Sequence, residues 1–220
     1  MSSKHVYFVR HGESVANATG IRQGPATPLT ERGRKQAMLV AKRIAHLSPE
    51  RIVGSNFMRA KETAEIIRVH GGHKYVEYSS LFVERRNPSI MLGKAMDDPE
   101  VERMWEKIAK HYGVLGWRHS DEENFEDLIT RAKDALTHLE GLPETRIVVA
   151  SHGLFMKVIL AHLLLGENLN GRIFWDQFVP IKNVANTGIM HLEYTDNWQK
   201  TGKYWKLISW NDHAHLELSD

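Results

Sequence analysis

Residues 6–13 read Val6-Tyr7-Phe8-Val9-Arg10-His11-Gly12-Glu13, and this stretch decides the fold. Four consecutive apolar residues are typical of a short strand that is buried on both faces of a parallel sheet. A cation, an imidazole and a glycine follow at once. Because open α/β sheets bind ligands beyond the carboxyl ends of their strands, we expect Arg10 and His11 to lie at a ligand-binding edge.

A second segment has the same design. Residues 147–150 form an apolar run, and Ser151-His152-Gly153 follows it directly. One histidine after a strand is more often a capping residue than a catalyst. Two such histidines, His11 and His152, each followed by glycine, indicate a shared site, because parallel strands end at the same edge. A glycine there allows the backbone to approach a ligand closely.

Apolar runs alternate with helical patterns along most of the chain, which predicts a three-layer α/β/α sandwich. We expect a mostly parallel sheet with an antiparallel edge strand. Strands are predicted at residues 6–9, 51–55, 74–78, 146–151, 174–179, 187–194 and 204–210, with a turn at Asp196-Asn197. Helices are predicted from Thr30, over 58–69, 97–112 and 121–139, and over 154–165. The alternation of strands and helices is interrupted from Glu84 to about Leu142. This interruption predicts a helical cap inserted into a single domain of residues 1–220.

Composition excludes several classes of protein. With 29 basic and 27 acidic residues the net charge is only +2, so no global field favours nucleic acid or a membrane surface. The chain has no cysteine, which rules out disulfides and thiolate zinc sites. The apolar stretch 154–165 contains Lys157 and His162 and is too short to span a bilayer. Residues 1–4 lack the apolar region of a signal peptide, so we expect a cytoplasmic protein. The oligomeric state cannot be predicted.

The predicted edge suits phosphoryl transfer. Neutral imidazole is a nucleophile, and its free pKa of about 6.5 leaves it unprotonated at neutral pH. Attack by His11 on phosphorus would give a phosphohistidine. The transferred group needs positive charge around its oxygens, which Arg10 and Arg59 can supply in bidentate fashion. Glu84, beyond the third strand, can protonate the leaving oxygen.

These residues belong to a wider pattern that resembles the histidine phosphatase superfamily, also called phosphoglycerate-mutase-like. The pattern covers most of the chain, and its combination is far more specific than Arg-His-Gly alone. Its matching positions are Arg10-His11-Gly12-Glu13-Ser14, Asn17, Pro28-Leu29-Thr30, Gly33, Gln36-Ala37, Ser55, Arg59-Ala60, Thr63-Ala64, Ser151-His152-Gly153 and Asn186.

The resemblance implies a role for each matching position. His11 would be the phosphorylated nucleophile, with Arg10, Arg59 and His152 around the phosphate and Glu84 as proton donor. Further substrate or phosphate contacts would come from a second set of residues: Asn17, Gln23, Gly24 and the backbone of Gly153. The substrate would be a phosphorylated small molecule, without a cofactor or metal.

One departure from the family pattern concerns the loop before Pro28. The superfamily commonly has an aspartate shortly before Pro-Leu-Thr, whereas this chain has Pro25-Ala26-Thr27. The departure affects the hydrogen bonding of the loop rather than the chemistry.

Three interpretations of function remain open. We favour a phosphomonoester phosphatase over a phosphoglycerate mutase, because Arg85-Arg86-Asn87-Pro88 replaces the Tyr-Gly element that usually follows the acid in the mutases. Arg85 and Arg86 either bind an acidic substrate group or form a solvated pair. A weakly catalytic protein that binds a phospho-ligand is the alternative of another class. A cation site at His213 and His215 is disfavoured, and arginines beside His11 and His152 repel divalent cations.

Overall fold

A computed structural model describes residues 3–196 and 202–217 of the chain. Its centre is a six-stranded sheet in the order β3-β2-β4-β1-β5-β6. The strands are β1 Lys4–Arg10, β2 Arg51–Ser55, β3 Glu77–Ser79, β4 Arg146–Ser151, β5 Ile189–Asp196 and β6 Lys203–Asp212. Arg10 and Ser151 are direct partners at the carboxyl ends of β1 and β4, so the two segments predicted to share an edge lie side by side.

The sheet is mixed, as predicted from the sequence. Strands β1 to β4 are parallel to one another. Strand β5 runs antiparallel to β1, and β6 runs antiparallel to β5, so a two-stranded hairpin forms this edge rather than a single reversed strand. The hairpin places the segment before β5 against the carboxyl end of β1, where Gly188 O accepts from Arg10 N.

Helices cover both faces of the sheet. They are α1 Val15–Thr19, α2 Glu31–Ala45, α3 Met58–Gly71, α4 Pro99–His111, α5 Phe125–Gly141, α6 Gly153–Leu165 and α7 Gly171–Ile173. Helices α2 and α3 pack on the face that carries Val9, Ile52 and Val148. Helix α6 packs on the opposite face, over Val6 and Phe8, and buried residues of α4 and α5 belong to the same hydrophobic core. The three-layer α/β/α architecture is therefore confirmed.

Helix starts follow local capping chemistry. Thr30 caps α2 by accepting from the Gly33 N–H, as its sequence position indicates. Asn124 and Asp127 form a reciprocal capping box at the start of α5. Asp98 caps α4, which begins with Pro99.

One predicted strand is wrong. Residues 174–179 are helical: Phe174–Phe178 form a π-helical turn that continues α7. Asn170 caps this segment by accepting from Ile173 N. Phe174 and Phe178 are buried four residues apart, a helical spacing that the short apolar run does not distinguish from alternation. The predicted turn at Asp196-Asn197 includes Asn197, which lies outside the described residues.

Residues 84–142 contain a short 3-10 turn, Ser89–Met91, and the two helices α4 and α5. Helix α5 also packs against α6 and the Ser80–Phe82 turn of the main body. Within residues 3–196 and 202–217, no helix has the length and apolarity that crossing a bilayer requires.

Candidate active site

His11 lies at the centre of the edge where β1 and β4 end, and only 2% of its surface is exposed. Its Nδ1 is 2.7 Å from Gly12 O, which is a hydrogen-bond acceptor, so the ring proton of neutral His11 sits on Nδ1. The Nε2 lone pair is then free to act as an acceptor or a nucleophile. Fixing the tautomer through the neighbouring carbonyl is the arrangement that nucleophilic imidazole requires.

Arg59 comes from the first turn of α3 and is 1% exposed. Its Nε donates to His11 Nε2 at 3.1 Å, and its Nη1 donates to Gly24 O at 3.0 Å. Thr63 holds this turn against β1: its hydroxyl donates to Arg59 O and accepts from Gly12 N. Arg59, the cation predicted to follow β2, therefore contacts His11 Nε2, the nitrogen predicted to be the nucleophile.

Arg10 is held by the segment that leads into β5. Its Nη1 donates to Val184 O, while its buried Nε has no hydrogen-bond partner. Asn186 Nδ2 donates to His11 O at 3.1 Å, and Thr187 N donates to the carbonyls of both Arg10 and His11. Thr187 has a left-handed backbone, with φ of 61°. The end of β1 is thus fixed by residues that follow it by more than 170 positions.

His152 is completely buried, and its ring lies 5.2 Å from the His11 ring, centroid to centroid. Its Nε2 is 2.7 Å from Ser55 Oγ, which already accepts from Phe57 N. With the Ser55 hydroxyl donating to Nε2, the proton of neutral His152 is on Nδ1, and this buried atom has no partner. Buried N–H groups are almost always paired in folded proteins, so His152 Nδ1 and Arg10 Nε are candidates to donate to a ligand.

Glu84 lies where α6 begins. Its Oε2 accepts from Leu154 N at 3.1 Å, and its Oε1 accepts from Phe155 N and Arg85 N at 3.0 Å each. The first N–H groups of a helix have no intrahelical acceptor, so a carboxyl group is well placed there. Glu84 also lines the cleft that contains Arg59.

The loop residues predicted to contact substrate have separate positions. Asn17 Oδ1 accepts from Ser14 N and lies 3.5 Å from Asn186 Nδ2. Gln23 lines the cleft, and its Oε1 accepts from Ser14 Oγ. Gly24 O accepts from Arg59 Nη1 at 3.0 Å and from Thr27 N at 3.4 Å.

The two glycines of the histidine segments have different surroundings. A Cβ on Gly12 would lie 2.3 Å from Gly33 O, so the absence of a side chain is required for packing against α2 rather than for approach to a ligand. A Cβ on Gly153 would lie 3.5 Å from Arg10 Cδ and Nε, which is an ordinary contact. The expected close approach of ligand to backbone therefore does not explain Gly12.

The electrostatics favour an anion. Burial, with the charges of Arg59 and Arg10, holds the pKa of His11 well below its usual range. Burial and Arg59 act in the same direction on the pKa of His152. Burial lowers the pKa of Arg59 to about 10, so its guanidinium is charged at neutral pH. Two neutral imidazoles lie beside two buried cations, and the charge of Glu84 partly offsets the effect of burial on the pKa of both arginines.

The site opens into a cleft of about 370 Å³. Its lining adds residues that sequence reasoning did not assign to a site: Arg22, Phe57, Met96, Trp105, Lys157 and Asn183. Lys157 had one detectable signal, a charge within an apolar helix; its Nζ donates to Val179 O and Ile181 O. Arg22 and Trp105 had none, because their positions depend on how the loop and α4 pack together.

His213 and His215 do not form a cation site. His213 Nδ1 is 2.7 Å from Asn211 O, and His215 Nε2 is 2.9 Å from Thr187 Oγ1. Each ring is therefore used in a separate local contact.

Comparison with solved structures gives the same fold. A phosphoserine phosphatase of Entamoeba histolytica, a mutant in complex with phosphoserine, matches with a TM-score of 0.73 and 23% identity, covering 97% of this chain and 99% of that one. A mycobacterial glucosyl-3-phosphoglycerate phosphatase with bound VO3 matches with a TM-score of 0.72 and 22% identity, covering 94% and 99%.

Sequence comparison identifies the family of the chain as well as its fold. A Yersinia pestis (strain Pestoides F) protein named probable phosphoglycerate mutase GpmB is 31% identical over 219 residues, covering 97% of this chain and 95% of the relative. Residues 6–212 match the profile of the histidine phosphatase superfamily (branch 1). The match spans both histidine segments and all six strands, and the chain is an enzyme of that superfamily.

Proposed function

We propose that this enzyme hydrolyses small phosphomonoesters through a phosphohistidine on His11. The observation that carries the proposal is a pair of buried nitrogens without hydrogen-bond partners: Arg10 Nε at the end of β1, next to His11, and His152 Nδ1 directly after the adjacent strand β4. A phosphate offers three equatorial oxygens to such donors. No cofactor or metal takes part in this proposal.

In the first step, the His11 Nε2 lone pair attacks phosphorus, and the bond from phosphorus to the ester oxygen breaks. Arg59 Nε, which donates to Nε2, must transfer its hydrogen bond to a phosphate oxygen so that the lone pair is free. Arg10, Arg59 and His152 stabilise the charge of the equatorial oxygens. Glu84, protonated at this stage, gives its proton to the leaving alcohol.

In the second step, water attacks the phosphohistidine. Glu84, now a carboxylate, accepts a proton from that water, the P–N bond breaks, and inorganic phosphate leaves. His11 and protonated Glu84 are regenerated, so atoms and protons balance over the cycle. Asn17, Gln23, Gly24 and the Gly153 backbone orient the substrate around these groups in the proposal.

Phosphoglycerate mutase activity is the second candidate, favoured by the 31% identity to the GpmB relative. In a mutase the phosphoryl group returns to another hydroxyl of the substrate, and water must be excluded. Phosphoglycerates assayed with and without a bisphosphate primer separate the two: a phosphatase releases phosphate, and a mutase moves it without release.

The proposal is tested by brief incubation with a ³²P-labelled phosphomonoester. We expect acid-labile, alkali-stable label on the wild-type protein, the stability pattern of phosphohistidine, and none on His11→Ala. The exposed His70 on α3 provides a matched control, because His70→Ala removes an imidazole far from any role proposed here. Label that persists on His11→Ala would contradict the assignment.

Two further parts of the proposal concern the domain organisation of the chain and its location in the cell. One domain over residues 1–220 with a cap at about 84–142, and a cytoplasmic location, are expected from the sequence. Limited proteolysis tests the first, because cleavage should concentrate in the cap loops. Cell fractionation tests the second.

A further inference from the structure

Arg22 is a cation in the cleft without a charge partner. It lies in the loop between α1 and α2, and its guanidinium carbon is 4.7 Å from the centroid of the Trp105 ring. Its Nε is buried without a hydrogen-bond partner, and no carboxylate among the described residues forms an ion pair with it. The stacking on Trp105 satisfies one face of the guanidinium and leaves its N–H edge for a ligand.

The position of Arg22 is fixed by the backbone. Arg22 N donates to Lys94 O, and Gly93 N donates to Arg22 O, each at 2.9 Å. Ile21 and Ala95 form an antiparallel bridge beside these bonds. The side chain therefore starts from a two-stranded contact between the site loop and the cap, which limits the entropy lost when a ligand binds.

Arg85 is close to Arg22 but is already neutralised. Its guanidinium carbon lies 5.5 Å from the Trp105 centroid, and its Nη2 donates to Glu122 Oε2 at 2.5 Å. Both side chains of this ion pair are at most 2% exposed. Arg86, the other arginine that the sequence offered for an acidic group, is exposed. Burial and the charge of Arg85 lower the pKa of Arg22, and an anion beside it would offset both.

The neutral side chains of the cleft present donors. Gln23 Oε1 accepts from Ser14, and Asn87 Oδ1 accepts from Arg85. Asn183 Oδ1 accepts from Lys157. Each of these three amide oxygens has one lone pair engaged by the protein, and the amide N–H groups can donate to a ligand. A ligand rich in acceptors fits such a lining better than one rich in hydroxyl donors.

We propose that Arg22 binds a second anionic group of the substrate, a carboxylate or a second phosphate, on the side of the cleft away from His11. This inference rests on the proposed phosphomonoester chemistry and names the class of ester: one with at least two anionic groups. A hydrogen-bonded guanidinium–anion contact discriminates on the order of 10- to 100-fold.

The test uses phosphomonoesters that differ by one anionic group. O-phosphoserine is paired with phosphoethanolamine, and 3-phosphoglycerate with glycerol 3-phosphate, for the carboxylate. Propane-1,3-diol bisphosphate is paired with its monophosphate for the second phosphate. We expect kcat/KM to favour the more anionic member of at least one pair 10-fold or more, and the favoured pair identifies the group.

Variants assign the preference to Arg22. Arg22→Leu should reduce the ratio within the favoured pair to near one, whereas Arg22→Lys should keep part of it. Arg103→Leu removes an exposed charge from the same helix as Trp105 and controls for net charge; its ratio should equal that of wild type. A wild-type ratio near one in every pair, or a ratio that Arg22→Leu leaves unchanged, would overturn the inference.

A binding measurement keeps this result separate from the chemistry. Calorimetric dissociation constants of the same pairs on the His11→Ala protein, which cannot form the phosphohistidine, should show the same preference. If no ester is hydrolysed, the proposed function fails, and the binding ratios alone then support or overturn the role of Arg22.

Discussion

The two sides of the cleft are built differently. On one side, Arg10, His11 and His152 follow directly from β1 and β4, and their backbone is fixed by the register of adjacent parallel strands. On the other, Arg22 comes from a loop and Trp105 from α4, and they meet through side-chain stacking. The first side presents a dense cluster of buried polar groups, and the second presents Arg22, which forms no ion pair with any described carboxylate. In the functions proposed above, the chemical step depends on the strand ends, and selection among esters depends on Arg22 and on its contact with α4.

The largest effect should come from the sheet side. Arg59→Ala removes the cation that touches His11 Nε2, and we expect kcat/KM to fall about 10³-fold or more for every ester, whatever its second group. Arg59→Lys should recover little, because a lysine cannot reproduce the planar fork. Arg68→Ala, on the same helix at an exposed ion pair, is the control. If the loss of kcat/KM depends on the second anionic group, the chemical step and the selection among esters are not separate functions of the two sides.

The same variant has a pH signature. Burial is the main cause of the low pKa of His11, and Arg59 lowers it further, so Arg59→Ala should raise that pKa. Because His11 must be unprotonated to attack, the acidic limb of kcat/KM should move to higher pH.

A smaller effect is expected at Glu84. Glu84→Gln keeps one of the two acceptor oxygens but cannot protonate the leaving group, so alkyl phosphates should lose about 10²- to 10⁴-fold. Aryl phosphates should lose much less activity, because their leaving groups depart with little need for protonation. The slope of log kcat against leaving-group pKa is the measurement. Equal losses on both classes would assign the acid role to another group.

The smallest effect on the chemical step is expected from the cap side. Glu122→Gln leaves the buried Arg85 without its counter-ion, which should lower the free energy of unfolding by about 3 kcal/mol, measured by urea denaturation. The freed cation lies over the same Trp105 ring as Arg22, so the folded variant should bind dianionic esters more tightly. If instead both stability and the preference are unchanged, the ion pair does not define the cap side.

The residues of the sheet side could be predicted from the sequence because the order and direction of the strands largely determine their positions. Once residues 6–9 and 147–150 are adjacent parallel strands, His11 and His152 must emerge together. Arg59 follows the same logic from β2. Local patterns mark these residues, and the parallel pairing of β1 with β4 brings the two histidines together.

The remaining features depend on tertiary contacts that leave no local pattern. Gly12 is close to Gly33 rather than to a ligand, which only the packing of α2 shows. The adjacent arginines at 85 and 86 looked equivalent, yet one is buried against Glu122 and the other is exposed. Arg22 lies in a loop of Gly, Asn and Thr residues, and nothing in that composition marks it.

The support of His11 by the segment before β5 has a consequence for the synthesis of the protein. His11 O accepts from Asn186 Nδ2, a residue 175 positions later in the chain. At about 5 to 20 residues per second, a ribosome needs roughly 10 to 35 s to cover that interval. Throughout this time the nascent chain carries its nucleophile but not the residues that hold it. The proposed activity should therefore appear only after the segment before β5 has been synthesised.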